Sequence, residues 1–185
     1  MSDLVRGPLD GYQVIEFCST LAGPLATMLL GDQGADVIKV ETPGGDQSRQ
    51  IGHTRKGVAG ISSLFVNVNR NKRSIVLDLK SEEGLRAARR LVEGADVVVQ
   101  NFRPGVMERL GLGYGQLSET NPKLVYVSIS GLGHSGDGAK RRVYDIVVQG
   151  LAGFAMMQTD PETGLPQNIR NAVTDKITSL VVWQA

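Results

Sequence analysis

Residues 12–41 place a strand-like segment, a helix-like segment and a second strand-like segment in succession, and this order constrains the fold more than any other feature of the chain. Tyr12-Gln13-Val14-Ile15-Glu16-Phe17 reads as a short strand. Ala22 to Gln33 is rich in Ala, Leu and Met and reads as a helix that Gly31 and Gly34 help to end. Pro24 suits an early helical position, where its missing N–H costs nothing. Asp36-Val37-Ile38-Lys39-Val40-Glu41 is the second strand. Such a β-α-β unit builds a parallel sheet, because the connecting helix must return over one face.

The pattern continues. Pro43 to Gly60 is polar with little periodicity and reads as a long loop, a kind that is often functional. Ser74 to Leu79 reads as a third strand. Ser81 can cap the next helix, with Glu82 and Glu83 in its positive first turn, and the helix runs to about Val92. Asp96-Val97-Val98-Val99-Gln100 is an apolar strand of the buried parallel type. A short helix near Val106–Leu110, a turn of helix near Tyr114–Thr120 and a fifth strand over Lys123–Ile129 follow. The expected fold is α/β, a Rossmann-like, doubly wound parallel sheet with helices on both faces. The 185 residues suffice for one domain, and 23 glycines suit many tight strand–helix turns.

Twenty basic and nineteen acidic residues leave a net charge of +1, and no like-charge run exceeds Lys140-Arg141-Arg142. Neither nucleic acid nor a membrane surface is implied as a partner. A single cysteine, Cys18, excludes an internal disulfide and a multi-cysteine metal site. His53 and His134 have no partner at metal-ligand spacing and read as loop residues, so no metal centre is expected. No apolar run reaches membrane-spanning length and no signal-like segment opens the chain, so the expected location is the cytoplasm.

Several segments carry chemistry. Gly131-Leu132-Gly133-His134-Ser135-Gly136 formally fits a dinucleotide fingerprint, but a loop-like stretch follows it where a helix should open. A Gly-rich loop is the stronger reading, and a nicotinamide site the weaker. Asn101-Phe102-Arg103-Pro104-Gly105 lies past the end of a strand, where ligands bind in open α/β sheets. Arg103 and Arg109 could pair with phosphate, or they could be solvated cations on a turn. Arg70, Lys72 and Arg73 crowd the turn Asn69–Ser74, either as a surface basic turn or as a site for polyanionic phosphate. Cys18 ends a buried-looking strand and reads as a core residue. There is no G-x-S-x-G elbow. Asp175 stands between a polar loop and the apolar run Ile177-Thr178-Ser179-Leu180-Val181-Val182-Trp183. Residue preference makes it a helix N-cap. Chemistry makes it a carboxylate nucleophile that could attack a thioester carbonyl.

Pro8 to Phe17, Ala22-Gly23-Pro24, Gly34 to Glu41, Asn71-Lys72-Arg73-Ser74-Ile75, Leu77-Asp78-Leu79-Lys80, Ala95-Asp96-Val97, Asn101 to Gly105 and Tyr144-Asp145 occur in an ordered series. In that order and spacing the chain resembles the class III coenzyme A transferases, the family of formyl-CoA transferase and carnitine CoA-transferase. The resemblance implies a Rossmann-like parallel sheet, an intertwined homodimer, and acyl-CoA and a carboxylic acid acceptor as substrates. It implies no prosthetic group. It aligns Asp175 with the family's catalytic aspartate, which forms covalent aspartyl–CoA and acyl intermediates. The family's coenzyme A contacts would fall at Leu21, Ala22, Leu77, Asp78, Leu79, Lys80, Asn101, Phe102, Arg103, Arg109 and Arg142.

Three positions depart from the family pattern. Leu21 stands where some members carry an active-site Gln, and Thr42 where a family Arg lies near the adenine, which disfavours oxalate or formate chemistry. Tyr144 stands where the related racemases carry a proton-shuttling His, which disfavours racemisation. The segment Asp160–Gln167 reads as a polar turn near the acyl site. Family members are longer, so residues 1–185 are expected to be the N-terminal, coenzyme A-binding part of the large domain, without the small domain, the Gly-rich loop over the active site and the C-terminal segment that returns to the large domain. The apolar end Leu180–Trp183 is then expected to form an exposed patch.

Overall fold

The computed structural model describes residues 7–53 and 61–185. In chain order the elements are β1 Gln13–Phe17, α1 Ala22–Asp32, β2 Asp36–Glu41, a 3-10 turn Gln47–Gln50, α2 Ser63–Asn69, β3 Lys72–Val76, α3 Glu82–Glu93, β4 Val97–Gln100, α4 Val106–Arg109, α5 Tyr114–Thr120, β5 Val125–Ser128, α6 Asp145–Leu151, α7 Phe154–Met157 and α8 Val173–Gln184. All strand pairs are parallel, and the sheet order is β3-β2-β1-β4-β5. The central strand β1 sets Val14 against Val37 on one side and Val97 on the other. The chain winds outward from β1 to β3, then returns to start β4 beside β1. The direction of winding therefore reverses between β1 and β4, and the loops there diverge to leave a crevice.

Alternation along the strands feeds two cores. Ile15, Phe17, Ile38, Val40 and Val98 face α3, α4 and α5 through Ala88, Val92, Met107 and Leu117. Val14, Cys18, Val37 and Val99 face the opposite way and meet Leu30 of α1 and Val182 of α8. A period of two places alternate residues on the two faces, as a sheet covered on both sides requires. Gly23 marks the closest approach of α1 to β1: a Cβ there would lie 2.3 Å from the Cys18 Sγ. Only a glycine lets the helix start so near the strand end.

Several expectations shift. β3 starts at Lys72 and ends at Val76, so Leu77 to Leu79 leave the strand as a turn. The charged start of β3 is drawn inward because Lys72 finds a buried partner on β1. α2 has the strand-like composition SLFVNVN, but Ser62 caps it, its Oγ accepting from the Phe65 N–H at 3.1 Å. Part of the Pro43–Gly60 loop, residues 54–60, lies outside the described residues, and the part before it contains the 3-10 turn. Of the apolar end, Leu180 and Val181 are exposed while Val182 packs inward. Among the described residues no helix is long and apolar enough to cross a membrane.

Candidate active site

A cleft of about 360 Å³ opens over the point where the winding reverses. Its walls come from Ser19–Ala22 after β1, Asn101–Pro104 after β4, Ile129–Gly131 after β5, Arg141–Asp145 leading into α6, and Thr174, Asp175 and Thr178 of α8. Every one of the three strand ends is a C-terminal end, because the sheet is parallel.

Asp175 is the third residue of α8, not its N-cap. The N-cap is Ala172, which has no side chain to cap with. Asp145, thirty residues before Asp175, caps the helix instead. Its Oδ1 accepts from the Thr174 hydroxyl at 2.6 Å and from the Asp175 N–H at 3.0 Å. Buried Gln149 fixes Asp145 in turn, its Nε2 donating to Asp145 Oδ2 at 2.5 Å and to the Asn171 carbonyl at 2.9 Å. Gln149 Oε1 accepts from the Ile169 N–H at 2.8 Å, so one amide side chain holds both the cap and the stretch of chain that leads into α8. Ser179 seats α8 on α1, its hydroxyl 2.7 Å from the Ala22 carbonyl.

Burial, and then the charge of Asp145, push the Asp175 carboxyl up to about 6. Burial works in the same direction on Asp145, but the bonds from Thr174, the Asp175 N–H and Gln149 outweigh it and hold that carboxyl below its ordinary value. The two carboxyls are thereby driven apart, Asp145 a stronger acid than usual and Asp175 a weaker one.

The opposite wall is braced from beneath. Asn101 Oδ1 accepts from the Ser19 N–H at 3.0 Å, and its Nδ2 donates to the Ser19 carbonyl at 2.8 Å. Both functions of the amide are engaged, so Asn101 shapes the wall more than it offers a group to a ligand. Thr20 adopts a left-handed conformation (φ 73°), and its N–H donates to Asp46 Oδ1 at 3.1 Å. Asp46 pairs with Lys39 at 2.7 Å, and Lys39 pairs with Glu16 at 2.7 Å. Glu16 also receives Lys72 at 2.7 Å and the Thr27 hydroxyl at 2.6 Å. All four charged side chains of this chain of pairs are buried. Burial works against ionised Glu16, yet Lys72 and Lys39 outweigh it and lower its pKa.

This network corrects the phosphate reading of the Asn69–Ser74 turn. Lys72 is buried on Glu16, Arg70 pairs with Asp32, and Arg73 pairs with Asp36, so none of the three cations is free for a ligand.

Of the residues expected to contact coenzyme A, Leu21, Ala22, Asn101, Phe102, Arg103 and Arg142 line the cleft together with Asp175. Leu77, Asp78, Leu79, Lys80 and Arg109 do not. Leu79 is buried in the core and Leu77 packs against it, while Asp78 accepts from the Lys80 N–H at 3.0 Å. This turn still lies past the C-terminal end of β3, on the same edge of the sheet as the cleft. Arg109 is exposed at the end of α4. Sequence reasoning missed Arg141 and the capping role of Asp145; the run Lys140-Arg141-Arg142 was the only signal for the first. Tyr144 forms part of the wall and is largely exposed, at 74%. Gly131–Gly136 is a loop, with Gly131 packed so tightly on Val143 that a Cβ would meet its Cγ2 at 1.8 Å. Cys18 is buried, its thiol 3.4 Å from the Val99 carbonyl, and burial pushes its pKa up. His53 and His134 are exposed.

The family model described as CoA-transferase family III matches residues 9–185. A succinate–glutarate CoA-transferase of Agrobacterium fabrum is 44% identical over 180 residues, 95% of this chain and 45% of that protein. The human succinyl-CoA:glutarate CoA-transferase is 41% identical over 179 residues, 96% of this chain and 40% of that protein. The crystal structure of a CAIB/BAIF family protein from Brucella suis superposes with a TM-score of 0.88 at 42% identity, covering 97% of this chain and 49% of that one. The chain thus spans about half the length of the relatives it matches.

Proposed function

The chain belongs to CoA-transferase family III, and on that premise we propose that it moves coenzyme A between carboxylic acids with Asp175 as the nucleophile. One observation carries this reading: a half-buried carboxylate with its pKa pushed up to about 6 faces the same cleft as Arg103, Arg141 and Arg142. Such a carboxylate is still largely ionised at neutral pH, and it is more basic than an ordinary one. The three guanidinium groups have no ion-pair partner among the described residues, and they suit the phosphates of coenzyme A.

The chemistry balances without a further reagent. An Asp175 oxygen attacks the thioester carbonyl, the C–S bond breaks, and the coenzyme A thiolate leaves a mixed anhydride behind. The thiolate then attacks the Asp175 carbonyl carbon, releasing the donor acid as its carboxylate and leaving an aspartyl thioester. The acceptor carboxylate attacks that thioester and frees the thiolate once more. Attack of the thiolate on the acceptor's acyl carbon forms the new acyl-CoA and returns Asp175. The dicarboxylic acids named in the two relatives make succinyl-CoA and glutarate the first pair to try. The exposed Leu151, Met156 and Met157 are consistent with a covering partner, and the working assembly proposed is a homodimer.

Incubation of the protein, at its full natural length, with acyl-CoA followed by peptide mass spectrometry tests the reading. An adduct on Asp175 that is absent from Asp175→Asn is the expected result. Binding of coenzyme A in a calorimetric titration with no adduct on any carboxylate would overturn it. Binding of NAD in a parallel titration, with none of coenzyme A, would point instead to the Gly131–Gly136 loop.

A further inference from the structure

Asp145 lines the cleft beside Asp175, and its contacts do more than close a helix end. A helix needs partners for the N–H groups of its first turn, and the residue just before the helix usually supplies one. Here Ala172 cannot. The acceptor comes from the start of α6, where Asp145 Oδ1 takes the Thr174 hydroxyl at 2.6 Å and the Asp175 N–H at 3.0 Å. A cap from another element fixes where the helix starts and how it is rotated relative to that element. Gln149 denies Asp145 any freedom of its own, holding Oδ2 at 2.5 Å while it also binds the Ile169 N–H and the Asn171 carbonyl. α6 and α8 are therefore joined at the residue that carries the proposed nucleophile.

We infer that Asp145 is a positioning residue for Asp175, fixing the first turn of α8 so that the Asp175 carboxylate faces the cleft while a second negative charge stands beside it. The inference rests on the acyl-transfer reading. The like charge has a direction of effect. It raises the free energy of the ionised, unreacted Asp175, and the repulsion vanishes once that carboxylate is acylated and neutral. Asp145 thus favours the covalent intermediate over the free carboxylate, and it also sharpens the geometry of attack. The other charged and titratable side chains around Asp175 are Arg141, Arg142 and Tyr144 from the segment before α6, Arg103 from the loop after β4, and Lys176 of its own helix. Lys176 is turned to Asn171, its Nζ 2.8 Å from Oδ1. Within this set Asp145 is the one group that both bonds the backbone of Asp175 and opposes its charge.

The test measures the rate of Asp175 labelling by acyl-CoA against pH in the wild type, Asp145→Asn and Asp145→Ala. Asn keeps an oxygen for the Thr174 hydroxyl and the Asp175 N–H, removes the charge, and gives up only the bond that Oδ2 accepts from Gln149. It is expected to label Asp175 with the midpoint of the acidic limb moved to lower pH. Ala removes cap and charge together and is expected to label at least about tenfold more slowly. A cap without influence on the nucleophile would leave the Asp145→Asn midpoint where the wild type has it, and that result overturns the inference. Ala labelling at the wild-type rate does the same. If the Ala variant does not fold, the Asn midpoint alone decides. A wild type that binds coenzyme A and acquires no adduct overturns the acyl-transfer reading, and this inference with it. A wild type that labels while Asp145→Asn keeps its midpoint overturns this inference alone.

Discussion

Asn101 clasps Ser19 by both of its backbone groups, at 3.0 Å and 2.8 Å, so the loops after β4 and β1 form a single wall. The pair spans the point where the sheet reverses its winding. Replacing Asn101 with Ala leaves the Ser19 N–H and carbonyl in a partly buried place without their partner. The expected loss is about 1–3 kcal/mol of stability, measured by chemical denaturation, together with weaker coenzyme A binding. Loss of binding with stability unchanged would mean instead that the amide touches the ligand directly.

Asp175 should cost the fold stability where it is ionised. Its folded pKa, about 6, lies above the ordinary value of 3.8, so the stability it allows is fully present below 3.8 and is lost as pH rises through about 6. Asp175→Asn is therefore expected to be more stable than the wild type at neutral pH, by about 1–2 kcal/mol once solvent screening is allowed for. The gain should shrink as the pH is lowered toward 3.8. Thermal denaturation of both proteins across that range checks the sign; a destabilised Asn variant at neutral pH would refute it.

Glu16 carries the opposite sign. Lys72 and Lys39 outweigh its burial and depress its pKa, so its contribution to stability is present above the ordinary glutamate value and lost as pH falls through the folded one. Glu16→Gln leaves Lys39 and Lys72 facing a neutral amide in the interior. A loss of about 3–5 kcal/mol is expected near neutral pH, with a flatter acid limb in the stability curve. Denaturant titrations at several pH values measure both.

Arg103 and Arg142 stand in the cleft without carboxylate partners among the described residues, and either one changed to Gln should lower coenzyme A affinity about tenfold. The affinity of each variant should also depend less on salt than that of the wild type. Calorimetry with coenzyme A and with its dephosphorylated form separates the contribution of the phosphates from that of the rest of the molecule.

The parts of the fold that were legible in the sequence are those set by local pattern. β1, α1 and β2 appear where apolar periodicity places them, and Ser81 caps α3 through Oγ as its residue type suggests, with the Gly84 N–H at 3.0 Å. What the pattern concealed depends on partners far along the chain. Lys72 looks like part of a surface turn until Glu16, 56 residues away, is placed beside it, whereas Arg73 stays at the surface on Asp36. Asp175 looks like an N-cap because its cap comes from Asp145, a residue with no local signature of a capping role. The cleft lining shows the same division. Asn101 and Arg103 follow a strand end and are legible from position, Leu21 only through the family resemblance, whereas Arg141 and Thr178 reach the cleft only through the packing of α6 and α8.

The Ser179 hydroxyl meets the Ala22 carbonyl across 157 residues of chain. Ribosomes deliver a chain from its N-terminus, so all five strands are made before α8 emerges. The sheet and both of its apolar faces can gather while the proposed nucleophile is still unsynthesised. On that order Asp175 is added only to a scaffold that already exists, and a nascent chain stalled before α8 would hold the cleft's floor without the carboxylate proposed to attack a thioester.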